Sequence, residues 1–364
     1  VNKSEDGFDH AFIGLAAFTE YEKFWSELEN NISGGELVSS FDNPSAYENF
    51  EVKVLDWFDT GNLDDLEKAK LYFRDKPLSL SKSSNEVVYK EESRFIKYIS
   101  NSDRLEGLYH RGIYLDKLTP KNLIKTENFL YYDWVNGETL YAINKIELYK
   151  EFISYYLSNI DPIPSSKKDI KNFYQDKTNK RIEKFKELYG DEYFENSYVV
   201  NEKKCKSLSE IMKKINLSKL ENNNFTKNFH GDLQFDNILY SSDGFNYIDW
   251  RDYFGSSNEA GDVYYDLSKL YGGILMPYNL MKDENNIEYF ENNLGVTFSY
   301  EKIERMDEII NYFIKSINDS EFDFSKIELI VGIIFLNMSP LHDEKFGKLL
   351  WFNGISILSD LIDK

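Results

Sequence analysis

The 364-residue chain is 41% hydrophobic, enough to bury more than one core, and its 63 acidic against 43 basic residues leave a formal charge of −20, which opposes attraction to nucleic-acid backbones and anionic lipid. A single cysteine, Cys205, excludes an intramolecular disulfide framework and every cysteine-based zinc pattern. No run reaches the ~20 uninterrupted apolar residues of a membrane helix, and the first ten residues, VNKSEDGFDH, show no basic region followed by an apolar one. The chain is read as cytoplasmic, with neither membrane nor nucleic acid as a partner.

In chain order, the first seventy-odd residues read as an α/β fragment. A strand-like Ala11-Phe12-Ile13-Gly14-Leu15 is followed by a helix from about Glu20 to Asn30, a Gly34-Gly35 turn and a strand through Lys53-Val54-Leu55. A helix begins at Asn62 or Leu63, with Asp64 and Asp65 in its first turn, and runs to about Phe73. The polar stretch Arg74 to Ser84 marks a boundary, placed at residues 76/77. Glu86–Tyr89 and Arg94–Ile99 then read as a hairpin, Asp103–Leu115 as a helix, and Asn128–Val135 as a strand ending at Asn136-Gly137. After Thr139 the texture is helical to Leu220, and again from Tyr264 to Lys364. Between them Ile238-Leu239-Tyr240 and Phe245-Asn246-Tyr247-Ile248 flank Ser241-Ser242-Asp243-Gly244, a strong hairpin signal.

That hairpin carries the chemistry. Phosphoryl transfer needs a carboxylate beside the acceptor hydroxyl and oxygen ligands that fix Mg²⁺ against a triphosphate. In His230-Gly231-Asp232-Leu233-Gln234-Phe235-Asp236-Asn237, Asp232 and Asn237 stand in the His-x-Asp-x-x-x-x-Asn spacing of a kinase catalytic loop. Past the hairpin, Asp249 follows an apolar strand in Ile248-Asp249-Trp250, the position of a second metal ligand. The bland alternative, that Asp and Asn near a turn only cap backbone groups, is disfavoured by the combined spacing. Lys97, on the second strand of the first hairpin and about 135 residues before Asp232, is the candidate phosphate-binding lysine. Glu106 is its candidate partner on the following helix, with Asp103 nearly as suitable. Tyr131–Gly137, with Asp133 and Val135, reads as the linker whose backbone would meet adenine. No glycine-rich loop precedes Lys97.

The residues HGDLQFDNIL, YIDW and Gly261–Leu270 resemble the aminoglycoside phosphotransferase and choline kinase superfamily, whose members share a protein-kinase-like fold. The resemblance spans about Pro77 to Lys364 and is specific over Phe229–Leu270. It implies an α+β, bilobal fold, with a β-rich N-lobe at 77–137, a helical C-lobe at 138–364 and an α/β remnant at 1–76. It implies ATP and Mg²⁺ as cofactors, Asp232 as catalytic base with His230 supporting its loop, and Asn237 and Asp249 as metal ligands. Asp266 would be an anchor for the loop or a helix cap. Trp250 and Arg251 depart from the residues usual after the metal-binding aspartate, which leaves the acceptor open. Arg251, Asp252, Tyr253, Glu259 and His342 are candidates for reading it: an arginine there suits an anionic acceptor, acids and aromatics a cationic one.

Residues 8–73 are similar to the C-terminal part of sugar-phosphate nucleotidyltransferases, through Phe12–Ala16 and Leu55-Asp56-Trp57-Phe58-Asp59-Thr60-Gly61-Asn62. This implies that Asp59 binds a catalytic Mg²⁺; as an alternative, Asp59 caps the next helix. The glycine-rich, arginine-containing loop with which those enzymes begin is absent, so the chain is expected to be part of a longer bifunctional protein and to lack that activity alone. The function expected is an ATP-dependent kinase acting on an alcohol group of an amino alcohol, sugar or polyol and feeding a nucleotidyltransferase step in surface-polysaccharide or head-group activation. The rivals are a catalytically silent nucleotide-binding module and a nucleotidyltransferase with a helical partner.

Overall fold

The computed structural model describes residues 20–30, 47, 62–73, 86–91, 93–222, 224–281, 283–292 and 295–363. The chain divides into two units, Val1–Leu78 and Ser79–Lys364. In the first, α1 (Tyr21–Asn30) buries Phe24, and α2 (Leu63–Phe73) is capped by the Asn62 side chain, which accepts from the backbone N–H of Asp65 at 2.9 Å. The expected strands at Ala11–Leu15 and Lys53–Leu55, and Asp59, lie outside the described residues.

The second unit begins with a four-stranded antiparallel sheet in the order β1 (Glu86–Glu91), β2 (Arg94–Ile99), β4 (Phe129–Asp133), β3 (Ile124–Lys125), backed by α3 (Ser102–Leu115). Asn101 caps α3 by accepting from Arg104 N–H, and the register sets Val88 opposite Lys97 and Lys97 opposite Leu130. Residues 134–137 lead to β5 (Glu138–Thr139), which pairs with β10 (Ile238–Ser241), one strand of a hairpin whose other strand is β11 (Gly244–Tyr247).

The remaining elements form a larger, mainly helical lobe: α4 (Leu140–Ile143), α5 (Ile146–Ser158), β6 (Pro162–Ile163), α6 (Lys167–Ile170), a π-helical turn at Lys171–Asp176, α7 (Lys177–Tyr189), α8 (Glu192–Glu195), β7 (Tyr198–Val200), β8 (Lys203–Cys205), α9 (Leu208–Lys214), β9 (Phe225–Thr226), β12 (Gly261–Asp262), α10 (Val263–Leu275), α11 (Tyr278–Met281), β13 (Ile287–Asn292), β14 (Gly295–Tyr300), α12 (Met306–Asn318), α13 (Phe324–Met338) and α14 (Glu344–Asp363). Two strand pairs interrupt what reads in sequence as continuous helix. β7 with β8 and β13 with β14 join in one sheet, through a parallel bridge between Val200 and Val296. β7 and β8, of three residues each, are too short to show period-2 alternation, and the bridge that joins the two hairpins links residues about a hundred positions apart, beyond the reach of local preference.

The core of this lobe is the hairpin of α13 and α14, against which α10 packs. The two helices approach closely at Gly332 and Gly354: a Cβ at Gly354 would lie 3.0 Å from Gly332 O, and one at Gly332 would lie 2.6 Å from Leu358. Residues Phe324–Leu341 are apolar and long enough to cross a bilayer by composition, yet 67% of that stretch is buried within the lobe. Trp351 of α14 is fully buried. Its ring stacks on Phe185 of α7 at 3.9 Å and its indole N–H donates to Tyr193 O of α8. Trp351→Ala removes the side chain that joins three helices and is expected to lower stability by about 3–5 kcal/mol, read from chemical denaturation.

Candidate active site

The turn from His230 to Asp232 is held from beneath by one carboxylate. Asp266, in the first turn of α10 and fully buried, accepts from the backbone N–H groups of His230 and Gly231 at 2.7 Å each, and from Tyr156 OH at 3.3 Å. Asp262 caps α10 instead, accepting from Tyr264 N–H, so of the two roles open to Asp266 the structure shows the anchor. Burial pushes the Asp266 carboxyl up to about 7, against those hydrogen bonds and the charge of Arg111. Gly231 takes φ +80° in this turn, and a Cβ there would lie 2.5 Å from Arg251 Cβ.

His230 is fully buried. Its Nδ1 accepts from Asp232 N–H at 3.1 Å, so Nε2 carries the proton and donates to Ile248 O at 3.0 Å. The imidazole therefore braces the Asp232 backbone against the strand that leads into Asp249. Desolvation lowers its pKa to about 4, and it stays neutral.

Asp232 presents its carboxylate among three donors. Lys269 Nζ and Gln234 Nε2 each lie 2.9 Å from Oδ1, and Asn237 Nδ2 lies 3.3 Å from Oδ2. Burial would raise its pKa, but the charges of Lys269 and Arg251 and the hydrogen bonds from Lys269 and Gln234 overcome this and hold the carboxylate well below the usual range. Lys269 was not expected from sequence. Its signal is a lysine one turn after Asp266 in a helix buried from Val263 to Ile274.

Asn237 also donates from Nδ2 to Asp232 O at 2.8 Å, which commits its amide nitrogen to the Asp232 turn. Asp249 has φ +55°, an uncommon backbone for a residue with a side chain and one found disproportionately at functional sites. Its Oδ1 lies 3.4 Å from Lys97 Nζ. Trp250, next in sequence, is buried and donates its indole N–H to Leu108 O of α3 at 2.8 Å, fastening this corner to the small lobe.

Lys97 pairs with Glu86 at 3.1 Å, and Glu86 is also bonded to Arg104 of α3, which reaches on to Asp252 at 3.1 Å. Glu106 is placed elsewhere: it bonds Lys125 and its own-helix His110. Asp103 lends only its carbonyl, to Tyr253 OH. The acid beside the lysine thus comes from the neighbouring strand, because α3 turns an arginine, not an acid, towards it.

Two cavities meet here. One, of about 250 Å³, lies between the lobes and is lined by Lys97, Glu86, Trp134 and Val135. The other, of about 490 Å³, opens on Asp232 and is lined by Tyr278, Met338, His342 and Phe346. Asn237 and Asp249 line both. Asp133 lies off the first cavity, its carboxylate accepting from Asn122. Among the described residues no cluster of three His, Cys, Asp or Glu could hold a metal alone. Two oxygen ligands on the wall between the cavities fit a Mg²⁺ completed by phosphate oxygens and water.

The second unit is α+β, with a small β-rich lobe and a large helical lobe. No family model and no curated protein sequence matches the chain. Solved structures similar to it include choline kinase from Cryptosporidium parvum Iowa II (14% identity, 79% of this chain and 90% of that one, TM-score 0.44). Others are an ethanolamine kinase of Plasmodium vivax (13%, 96% and 95%, 0.41) and the streptomycin–ATP complex of the aminoglycoside phosphotransferase APH(2")-IIa (14%, 83% and 97%, 0.42).

The neutral, buried His230 must take up a proton when the protein unfolds in mild acid. Its folded pKa lies below the unfolded 6.5, so its contribution is complete above pH 6.5 and declines as pH falls towards 4. The difference in unfolding free energy between wild type and His230→Gln should shrink by about 3 kcal/mol over that interval, measured by denaturation at stepped pH.

Proposed function

We propose that the second unit is an ATP- and Mg²⁺-dependent kinase that phosphorylates a hydroxyl of a small metabolite. The observation that carries this reading is the shared wall: Asn237 and Asp249 border both the interlobe cavity with Lys97 and the cavity with Asp232. A metal there would bind the triphosphate and screen the charge that develops on its oxygens. Lys97, fixed by Glu86, would bind phosphate oxygens, and the 134–135 segment would border the adenine. Asp232 would orient the acceptor hydroxyl and receive its proton as the new O–P bond forms and the bond to ADP breaks. Lys269 and Gln234 keep that carboxylate ionised and aimed.

The finer reading, that the product feeds a nucleotidyltransferase step in surface-polysaccharide or head-group activation, rests on residues 55–62, of which only Asn62 is among the described residues. Asn62 fills the capping position of α2, the alternative role weighed for Asp59.

Label transfer from γ-³²P-ATP to a panel of amino alcohols, polyols, sugars and their acids and phosphates tests the activity. Asp232→Ala should cut transfer by ~100- to 10,000-fold with ATP binding retained; transfer that survives this change would sink the assignment. Glu86→Gln should weaken ATP binding about tenfold (about 1.4 kcal/mol) by releasing Lys97, whereas Glu106→Gln should change it by less than about twofold. Calorimetry with ATP and Mg²⁺ reads the difference.

A further inference from the structure

The charges at the Lys97 corner form a ring. Asp249 Oδ1 lies 3.4 Å from Lys97 Nζ, Lys97 Nζ lies 3.1 Å from Glu86 Oε2, Arg104 Nε bonds Glu86 Oε1, and Arg104 Nη1 lies 3.1 Å from Asp252 Oδ2. The signs alternate along these five groups, and the two ends, Asp249 and Asp252, stand three residues apart in one segment. Each Glu86 oxygen thus serves a different cation. Burial would raise the Glu86 pKa, but the hydrogen bond from Arg104 and the charge of Lys97 lower it, so the central acid stays ionised.

The ring also has a mechanical side. Asp249 has φ +55°, a backbone state that persists only where its surroundings over-determine it. On the near side Ile248 is held twice, its N–H donating to Asn237 O and its carbonyl accepting from His230. On the far side Arg251 N–H donates to His230 O, and two further ties run to α3, from the Trp250 indole to Leu108 O and from Arg104 to Asp252. Gly107 makes that approach possible: a Cβ there would lie 3.0 Å from Asp252 Cβ and 2.6 Å from the Tyr253 ring. The Arg104 side chain is 41% exposed, but the carboxylates it grips, of Glu86 and Asp252, are 14% and 20% exposed. Water therefore screens this bridge less than an open surface pair.

Building on the kinase reading, in which Asp249 holds Mg²⁺ against the triphosphate, we propose that Arg104 is a positioning residue for the metal. Its guanidinium grips Glu86 on one side and Asp252 on the other, and so fixes the turn that presents Asp249. The planar fork suits this task, since Nε and Nη1 reach two carboxylates at once. Lys97 and Glu86 remain joined by their hairpin without it. Arg104 thus serves the metal, and Glu86 the lysine.

The test is calorimetric binding of a non-hydrolysable ATP analogue to the full chain, once in EDTA and once with saturating Mg²⁺. The ratio of the two dissociation constants is the gain due to metal. Arg104→Gln and Asp252→Asn should each cut that gain at least about fivefold, and the double variant should cut it no further, because all three remove one bridge. Affinity in EDTA, which Lys97 sets, should stay within about twofold of wild type in these variants, which shows that the site is folded. Glu86→Gln, by contrast, should lose affinity already in EDTA. The proposal is overturned if Mg²⁺ brings no gain in wild type, if the gain survives in either single variant, if affinity in EDTA falls as far as affinity with Mg²⁺, or if the two losses add in the double variant. Failure of the kinase reading shows separately, as no binding of the analogue to wild type and no label transfer to any acceptor, and the proposal falls with it.

Discussion

The site depends on a buried carboxylate bonded to main chain. Asp266 receives two successive N–H groups, of His230 and Gly231, and so fixes the turn from which Asp232 projects. The geometry runs outwards from there. His230 crosses to Ile248, which sets the approach to Asp249, and α10 carries Lys269 one turn on to meet Asp232 from the other side. A single helix thus supplies both the support of the Asp232 turn and the cation that keeps its carboxylate ionised. The same helix is buried over almost its full length against α13, so this turn inherits the rigidity of the lobe's core.

Much of the small lobe and of the catalytic hairpin was legible in the sequence because their signals are local. The Ser241–Gly244 turn between two apolar runs gives β10 and β11, and Asp232, Asn237 and Asp249 line one cavity beside that hairpin. What was not legible is what distant segments decide. β13 alternates buried and exposed residues only in its folded context, since its acidic and asparagine residues obscure the apolar period. Glu86, on the strand beside Lys97, gave no signal of its own, because an acid on an edge strand reads as solvated until Arg104 and Lys97 are brought to it. Lys177 lies on a helix whose lysines look uniformly exposed, and only the tertiary placement of Phe173 and Tyr265 sets it apart.

Trp250 and Arg251, the departures noted in sequence, divide the work at this corner: the indole holds the small lobe to the segment that carries Asp249, and the guanidinium bonds the Gly231 carbonyl in the turn before Asp232.

The partner of Lys97 has a consequence for control. Where a kinase draws the acid for its lysine from a mobile helix, displacing that helix disconnects the pair and silences the enzyme. Here acid and lysine belong to adjacent strands of one hairpin, paired along six positions, so no swing of α3 can part them. Lys97 is tied to its acid by the sheet itself, so the pair would outlast a displacement of α3, and a site built on it would lack that on–off setting of the small lobe.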